Sequence, residues 1–330
     1  MNEFSESIGV MLSALAGSLS LINTVNIGAH IGIYLSGKSD LKKFSKYNGN
    51  LIADAKFIHD KINKFKSDKL SFYKKEKLFP YMEKLMEHLS DDDKKIVCNN
   101  FETLKLKRSF LGLMSGVVGT YSAEKNKLSY SSRKSIGHEI LHMASSIYDE
   151  VNNIFLCGFR QMKDNLEIGR GINEGYTELL ASRIFENKVD AYKKQVKIAR
   201  LLEFFFDDPR EMEHLYFNCN LPGLIHHLEK FSSRQEVLDL ILGLDKTLKY
   251  SSGTILSIFP TVNHIKTQVT LYEWFCRNNS DPKKLKQFED ILCENKFVSM
   301  ALNKKKMKLI RENIYAYKNN VVDNSSNKRH

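Results

Sequence analysis

Gly137-His138-Glu139-Ile140-Leu141-His142 lies in a run, Ser135 to about Asp149, whose apolar residues recur at helical spacing. On a helix, two histidines four apart share one face, so both imidazoles can reach a single metal ion. Glu139 sits about 100° around the axis from His138, where it meets a water on the metal rather than the metal itself. The run thus supplies two ligands and a general base. Chance alone would place this pattern in roughly one in fifty chains of such composition, so a second feature is needed.

That feature is Gly171-Ile172-Asn173-Glu174-Gly175-Tyr176-Thr177-Glu178-Leu179-Leu180, which opens another helix from about Asn173 to Phe185. Glu174 and Glu178 share a face of it. A catalytic zinc centre takes three protein ligands and keeps a fourth position open. Glu174 suits the third ligand. Glu178 can hydrogen-bond the outer nitrogen of a ligating histidine and fix its tautomer. A plainer reading makes Asn173 a helix N-cap and the glutamates partners of the helix dipole. Gly175 tells against that: glycine inside a helix costs about 0.5 to 1 kcal/mol relative to alanine, which points to close approach of another element, such as the helix of the two histidines.

HExxH followed by an NEG-type segment resembles the gluzincin branch of zinc metallopeptidases, which includes thermolysin-like enzymes and the aminopeptidase N-like family. The resemblance implies one Zn2+ held by His138, His142 and Glu174, with Glu139 activating the attacking water, Glu178 matching the supporting acid, and Asn173 beside them. It implies a peptide or protein substrate. It covers Ser135 to Leu180 and departs from the pattern in two ways. Thirty-one residues lie between His142 and Glu174, so an inserted strand and loop must be accommodated. A GxMEN-like run is absent, which weakens the aminopeptidase subtype.

The expected fold is mainly α with a small β-sheet (α+β): a zincin-like core followed by a helical C-terminal region. Phe57, Ile58, Ile62 and Phe65 form one helical stripe, Leu78, Tyr81, Met82, Leu85 and Met86 another, and Asp91 opens a third helix. These place a helical region over 1–107. The core runs over 108–188: a hairpin of Val117, Val118, Thr120 and Tyr121 with Leu128 and Tyr130, the two site helices, and a strand over Ile154 to Phe159 between them. Helices broken near Pro209, Pro222, Ser251 to Pro260 and Pro282 fill 189–318, and residues 319–330 read as a disordered tail.

Such a centre needs two further elements. A second donor must stabilise the oxyanion formed on the scissile carbonyl. His226, His227, His264, Tyr216 and Tyr250 lie downstream as candidates. In zincins an edge strand before the HExxH helix aligns extended substrate by strand addition, and Leu128, Ser129, Tyr130 and Ser131 are placed to do so.

Composition bounds the rest. A net charge of +11 over 330 residues invites a nucleic-acid reading, but the lysines are scattered among acids and apolar residues, so no specific nucleic-acid partner is expected. The basic stretch Asn303 to Ile310 reads as a solvated helix face with Met307 and Ile310 inward. Five cysteines without a CxxC pair favour buried thiols in a reducing, cytoplasmic compartment. Residues 8–35 are apolar but interrupted by Asn23, Asn26 and His30, and the leading segment carries Glu3 and Glu6 without Lys or Arg. A buried helix pair is the preferred reading there, with a membrane anchor as the alternative. The alternative to an enzyme is a non-catalytic zinc-binding, regulatory or membrane-associated protein retaining a zincin fold. The intact Glu139 counts against it.

Overall fold

A computed structural model describes residues 51–65, 76–108, 119–164, 166–189, 191–249, 258–294, 305 and 307–314. The segment 8–35, Val117, Val118, Tyr250 and the tail 319–330 lie outside these. The fold is mixed α and β, mainly helical with two small sheets. No helix among the described residues is long and apolar enough to cross a membrane.

The first helices are α1 (Ala55–Ile62), α2 (Phe79–His88) and α3 (Lys94–Thr103). Asp54 caps α1 by accepting the Phe57 N–H at 2.8 Å, and Ile58 and Ile62 face inward. The third helix starts at Lys94, after the run Asp91 to Asp93 rather than within it.

Strand β1 (Lys105–Arg108) pairs in parallel with β3 (Lys127–Tyr130), and β2 (Gly119–Ser122) pairs antiparallel with β3. The alternation of Leu128 and Tyr130 with serines puts both large side chains in the core. The strand order is β1-β3-β2, so β3 is central. The expectation that Leu128, Ser129, Tyr130 and Ser131 form a free edge is therefore corrected, since β3 is hydrogen-bonded on both sides. β1 also straddles the expected boundary between residues 107 and 108.

Helix α4 (Ile136–Ala144) carries the two histidines and stops five residues short of the expected end. The hydroxyls of Ser145 and Ser146 bond the carbonyls of Leu141 and His142 at 2.8 and 2.6 Å, satisfying the terminus. The chain then enters a four-stranded antiparallel meander of β4 (Ser146–Asp149), β5 (Ile154–Cys157), β6 (Arg160–Lys163) and β7 (Leu166–Ile168). A whole sheet occupies the interval expected to hold one strand and a loop.

Helix α5 (Arg170–Ile184) begins three residues before Asn173, which is inside the helix and not its cap. Its first turn is closed by Asp245, whose carboxylate accepts the Gly169 and Gly171 N–H groups at 2.9 and 2.6 Å. The close approach signalled by Gly175 is present, but its partner is α6 (Lys193–Glu203), not α4. A Cβ on Gly175 would lie 2.5 Å from the Gln195 carbonyl carbon.

The remaining helices are α7 (Pro209–Phe217), α8 (Leu221–Leu228), α9 (Arg234–Lys249), α10 (Ile258–Asn278) and α11 (Pro282–Cys293). Pro209, Pro222 and Pro282 stand in first turns behind the caps Asp208, Asn220 and Asp281, so these prolines mark helix starts. One apolar cluster runs from Leu78 to Met307 and joins all three expected regions. Met307 is buried and Ile310 half-buried, the inward side of the basic C-terminal helix.

Candidate metal centre

Helices α4 and α5 cross so that His138, His142 and Glu174 converge. His138 Nε2 lies 3.0 Å from His142 Nε2 and 3.3 Å from Glu174 Oε2, and His142 Nε2 lies 3.5 Å from that oxygen. Zinc bonds of about 2.0 to 2.1 Å in tetrahedral geometry place neighbouring ligand atoms about 3.3 Å apart. The three donors match one triangular face of such a tetrahedron, and the donor set suits zinc.

The outer nitrogens are occupied. His138 Nδ1 meets Glu178 Oε2 at 3.0 Å, as expected of Glu178. His142 Nδ1 meets Cys157 Sγ at 3.3 Å. With both Nδ1 atoms engaged, both Nε2 atoms turn to the same point. Asn173, fully buried, accepts the Phe159 N–H at 3.1 Å and directs its amide at the Cys157 sulfur, 3.9 Å away. It holds the β5–β6 turn and so supports His142 through Cys157. Three of the five cysteines, Cys157 among them, are buried and none is disulfide-bonded.

Charge coupling is strong here. Burial opposes protonation of His138, but the hydrogen bonds it donates to Glu174 and Glu178 outweigh it and raise its pKa to about 9. Burial likewise opposes protonation of His142, yet the charges of Cys157 and Glu174 lift it well above 6.5. For Glu174, burial is overcome by the His142 charge and the histidine hydrogen bonds, and the pKa falls well below 4.5. These directions describe tight pairing of the two imidazoles with the carboxylates and the sulfur around them; a metal ion would have to displace the protons from both Nε2 atoms.

Glu139 is buried, and burial raises its carboxyl above the ordinary value despite the nearby histidines. Its carboxylate accepts the backbone N–H of Tyr121. Gly119 lies flat against it: a Cβ there would be 2.7 Å from Glu139 Oε1. Strand β2 therefore forms the wall over the acid.

Tyr192 and Arg170 also belong to the site, and the sequence reading missed both. The Tyr192 ring stacks on His138 with centroids 5.7 Å apart, and its backbone is left-handed at φ 51°. The charge of Glu174, with burial and a hydrogen bond to that carboxylate, raises its phenol pKa. Arg170, one turn before Glu174, places Nε 3.9 Å from Glu174 Oε1. No spacing rule marks Tyr192. Arg170 was visible only as an i, i+4 neighbour of Glu174.

Of the expected oxyanion donors Tyr250 lies outside the described residues, and the other four lie elsewhere or are committed. Tyr216 is fully buried with its hydroxyl 2.7 Å from Thr177 Oγ1. His227 stacks on Phe206 and meets the Phe205 carbonyl at 2.8 Å. His226 projects into solvent, and both line a separate groove of about 640 Å³ with His88 and His214. His264 is buried behind α6, held near pKa 3 by burial and the charges of Lys197 and Lys194. No family model, curated protein or solved structure matches the chain.

Proposed function

We propose that the chain is a zinc-dependent hydrolase acting on peptide bonds. The observation that carries this reading is the triangle of His138, His142 and Glu174 donors, spaced as a tetrahedral ion requires, with an unligated acid one residue from the first histidine. A purely structural site has no use for Glu139 beside it. When bound, zinc supplies a Lewis acid for a carbonyl oxygen and makes water nucleophilic near neutral pH.

The chain's own groups divide the remaining work. Glu139, with its basicity raised by burial, takes the proton of the attacking water and returns it to the leaving amine. Tyr192 takes the donor role by turning the single O–H that it gives to Glu174 toward the oxyanion. Among the described residues β2 pairs only with β3, so β2 takes the substrate-aligning role first given to Leu128–Ser131.

Glu139→Gln tests the reading. Bound zinc is expected to stay at one per chain, and hydrolysis of a peptide library is expected to fall at least about a hundredfold. Equal activity in the two proteins, or no zinc in either, overturns it.

A further inference from the structure

The two arginines that α5 turns toward carboxylates are treated differently. Arg183 grips Glu203 with both terminal nitrogens, at 2.6 and 2.7 Å, the fork geometry of a satisfied pair. Arg170 reaches no carboxylate that closely: Glu174 Oε1 is 3.9 Å from its Nε and Glu167 Oε2 is 4.0 Å from a terminal nitrogen. Its buried Nε has no hydrogen-bond acceptor among the described residues. Glu167 is already held by Arg160 at 2.5 Å. The Arg170 side chain is nevertheless 42% exposed, so a ligand can reach it.

Its position gives a meaning to this guanidinium, which is ion-paired with Glu167 and Glu174 only at about 4 Å. The two oxygens of Glu174 divide the site, Oε2 facing the histidines and Oε1 facing Arg170. The guanidinium thus stands across the Glu174 carboxylate from the ligand triangle, its Nε 3.9 Å beyond Oε1. A residue of extended peptide advances at most about 3.6 Å, so a carboxylate one residue beyond a carbonyl seated at the triangle is within hydrogen-bonding reach of Arg170 if the chain runs along Glu174. Guanidinium matches carboxylate in a planar, two-point fashion that few other groups reproduce.

We propose that Arg170 is the specificity residue of this centre and binds a substrate carboxylate one residue beyond the scissile amide. That carboxylate is either the chain's C-terminal group or an Asp or Glu side chain. The inference rests on the metal-centre reading, and its test separates the two.

The zinc-loaded full chain is titrated calorimetrically with acetohydroxamate, succinic monohydroxamate and the neutral amide of the latter. Acetohydroxamate reports the metal alone; if none of the three binds, the metal-centre reading falls and this inference with it. The succinic acid is expected to bind at least about tenfold more tightly than its amide, about 1.4 kcal/mol. Arg170→Gln should erase that preference while keeping zinc and acetohydroxamate binding, and Arg170→Lys should keep a weaker one. Equal binding of acid and amide by the native chain, or a preference surviving in Arg170→Gln, overturns it. N-acetyl-trialanine as free acid, as C-terminal amide, and as an amide with glutamate in place of an alanine then identifies the source. Cleavage of only the free acid assigns the terminal carboxylate, and selective cleavage of the glutamate peptide assigns the side chain. No preference over the neutral amide rejects both.

Discussion

The outer nitrogen of His142 rests on a sulfur, Cys157 Sγ at 3.3 Å, where His138 has the carboxylate of Glu178 at 3.0 Å. Burial pushes the Cys157 thiol up, but the His142 charge and hydrogen bond draw it below the ordinary thiol value. The sulfur, which also takes the Asn173 amide at 3.9 Å, faces the outer nitrogen and so orients the ring. Cys157→Ala is expected to weaken zinc binding about ten- to hundredfold, as loss of such outer partners does, with Cys157→Ser intermediate. Competition against a chromophoric chelator measures this. Native affinity in Cys157→Ala would show that the contact is only packing.

Legibility in the sequence followed the range of each signal. The convergence of His138, His142 and Glu174, with Glu178 behind His138, was readable because helical spacing fixes which side chains share a face. The end of α4 was not, since Met143, Ala144 and Ile147 prolong a helical rhythm and only the serine hydroxyls bonding Leu141 and His142 stop it. Of the meander only β5, inside the expected strand Ile154 to Phe159, was legible; β4, β6 and β7 are three or four residues long, too short for alternation to show. Gly175 announced a close neighbour but could not name it; choosing α6 over α4 is a tertiary decision. Tyr192 reaches the site through a left-handed backbone that no local pattern dictates.

Asp149 ties the meander to α1. Lys61 Nζ lies 2.8 Å from its carboxylate, and the Val151 and Asn152 N–H groups donate to it at 3.1 and 3.3 Å. The Lys61 hydrogen bond is the main cause that lowers its pKa from 3.8 to about 2, against burial. A depressed folded-state pKa means stability that is complete above pH 4 and lost as the pH falls toward 2. The contribution is on the order of 1 to 2 kcal/mol. Asp149→Asn should be less stable by about that amount at pH 7 and show a shallower decline from pH 4 to 2 in urea melts. Parallel pH profiles for the two proteins would refute the assignment.

Tyr192 offers a test that separates oxyanion stabilisation from metal binding. Tyr192→Phe keeps the ring that stacks on His138 and removes only the hydroxyl beside Glu174. Turnover is expected to fall about a hundredfold with KM and zinc content little changed, the pattern of a donor that acts in the transition state. Normal turnover in the variant would show that the phenol is not the oxyanion donor.

Gly119 makes the position of β2 testable without touching a ligand. An alanine Cβ would press to 2.7 Å from Glu139 Oε1 and 2.9 Å from its Cγ, so the acid must move. Displacement of a reacting group by about 1 Å can cost on the order of a hundredfold in rate. Gly119→Ala is therefore expected to lose most of its hydrolysis while zinc binding holds, because Glu139 is not one of the three converging donors. Added to Glu139→Gln it should cost nothing further, since both changes act through one carboxylate. Unchanged turnover in Gly119→Ala, or zinc lost together with activity, would mean that the strand does not hold the base in place.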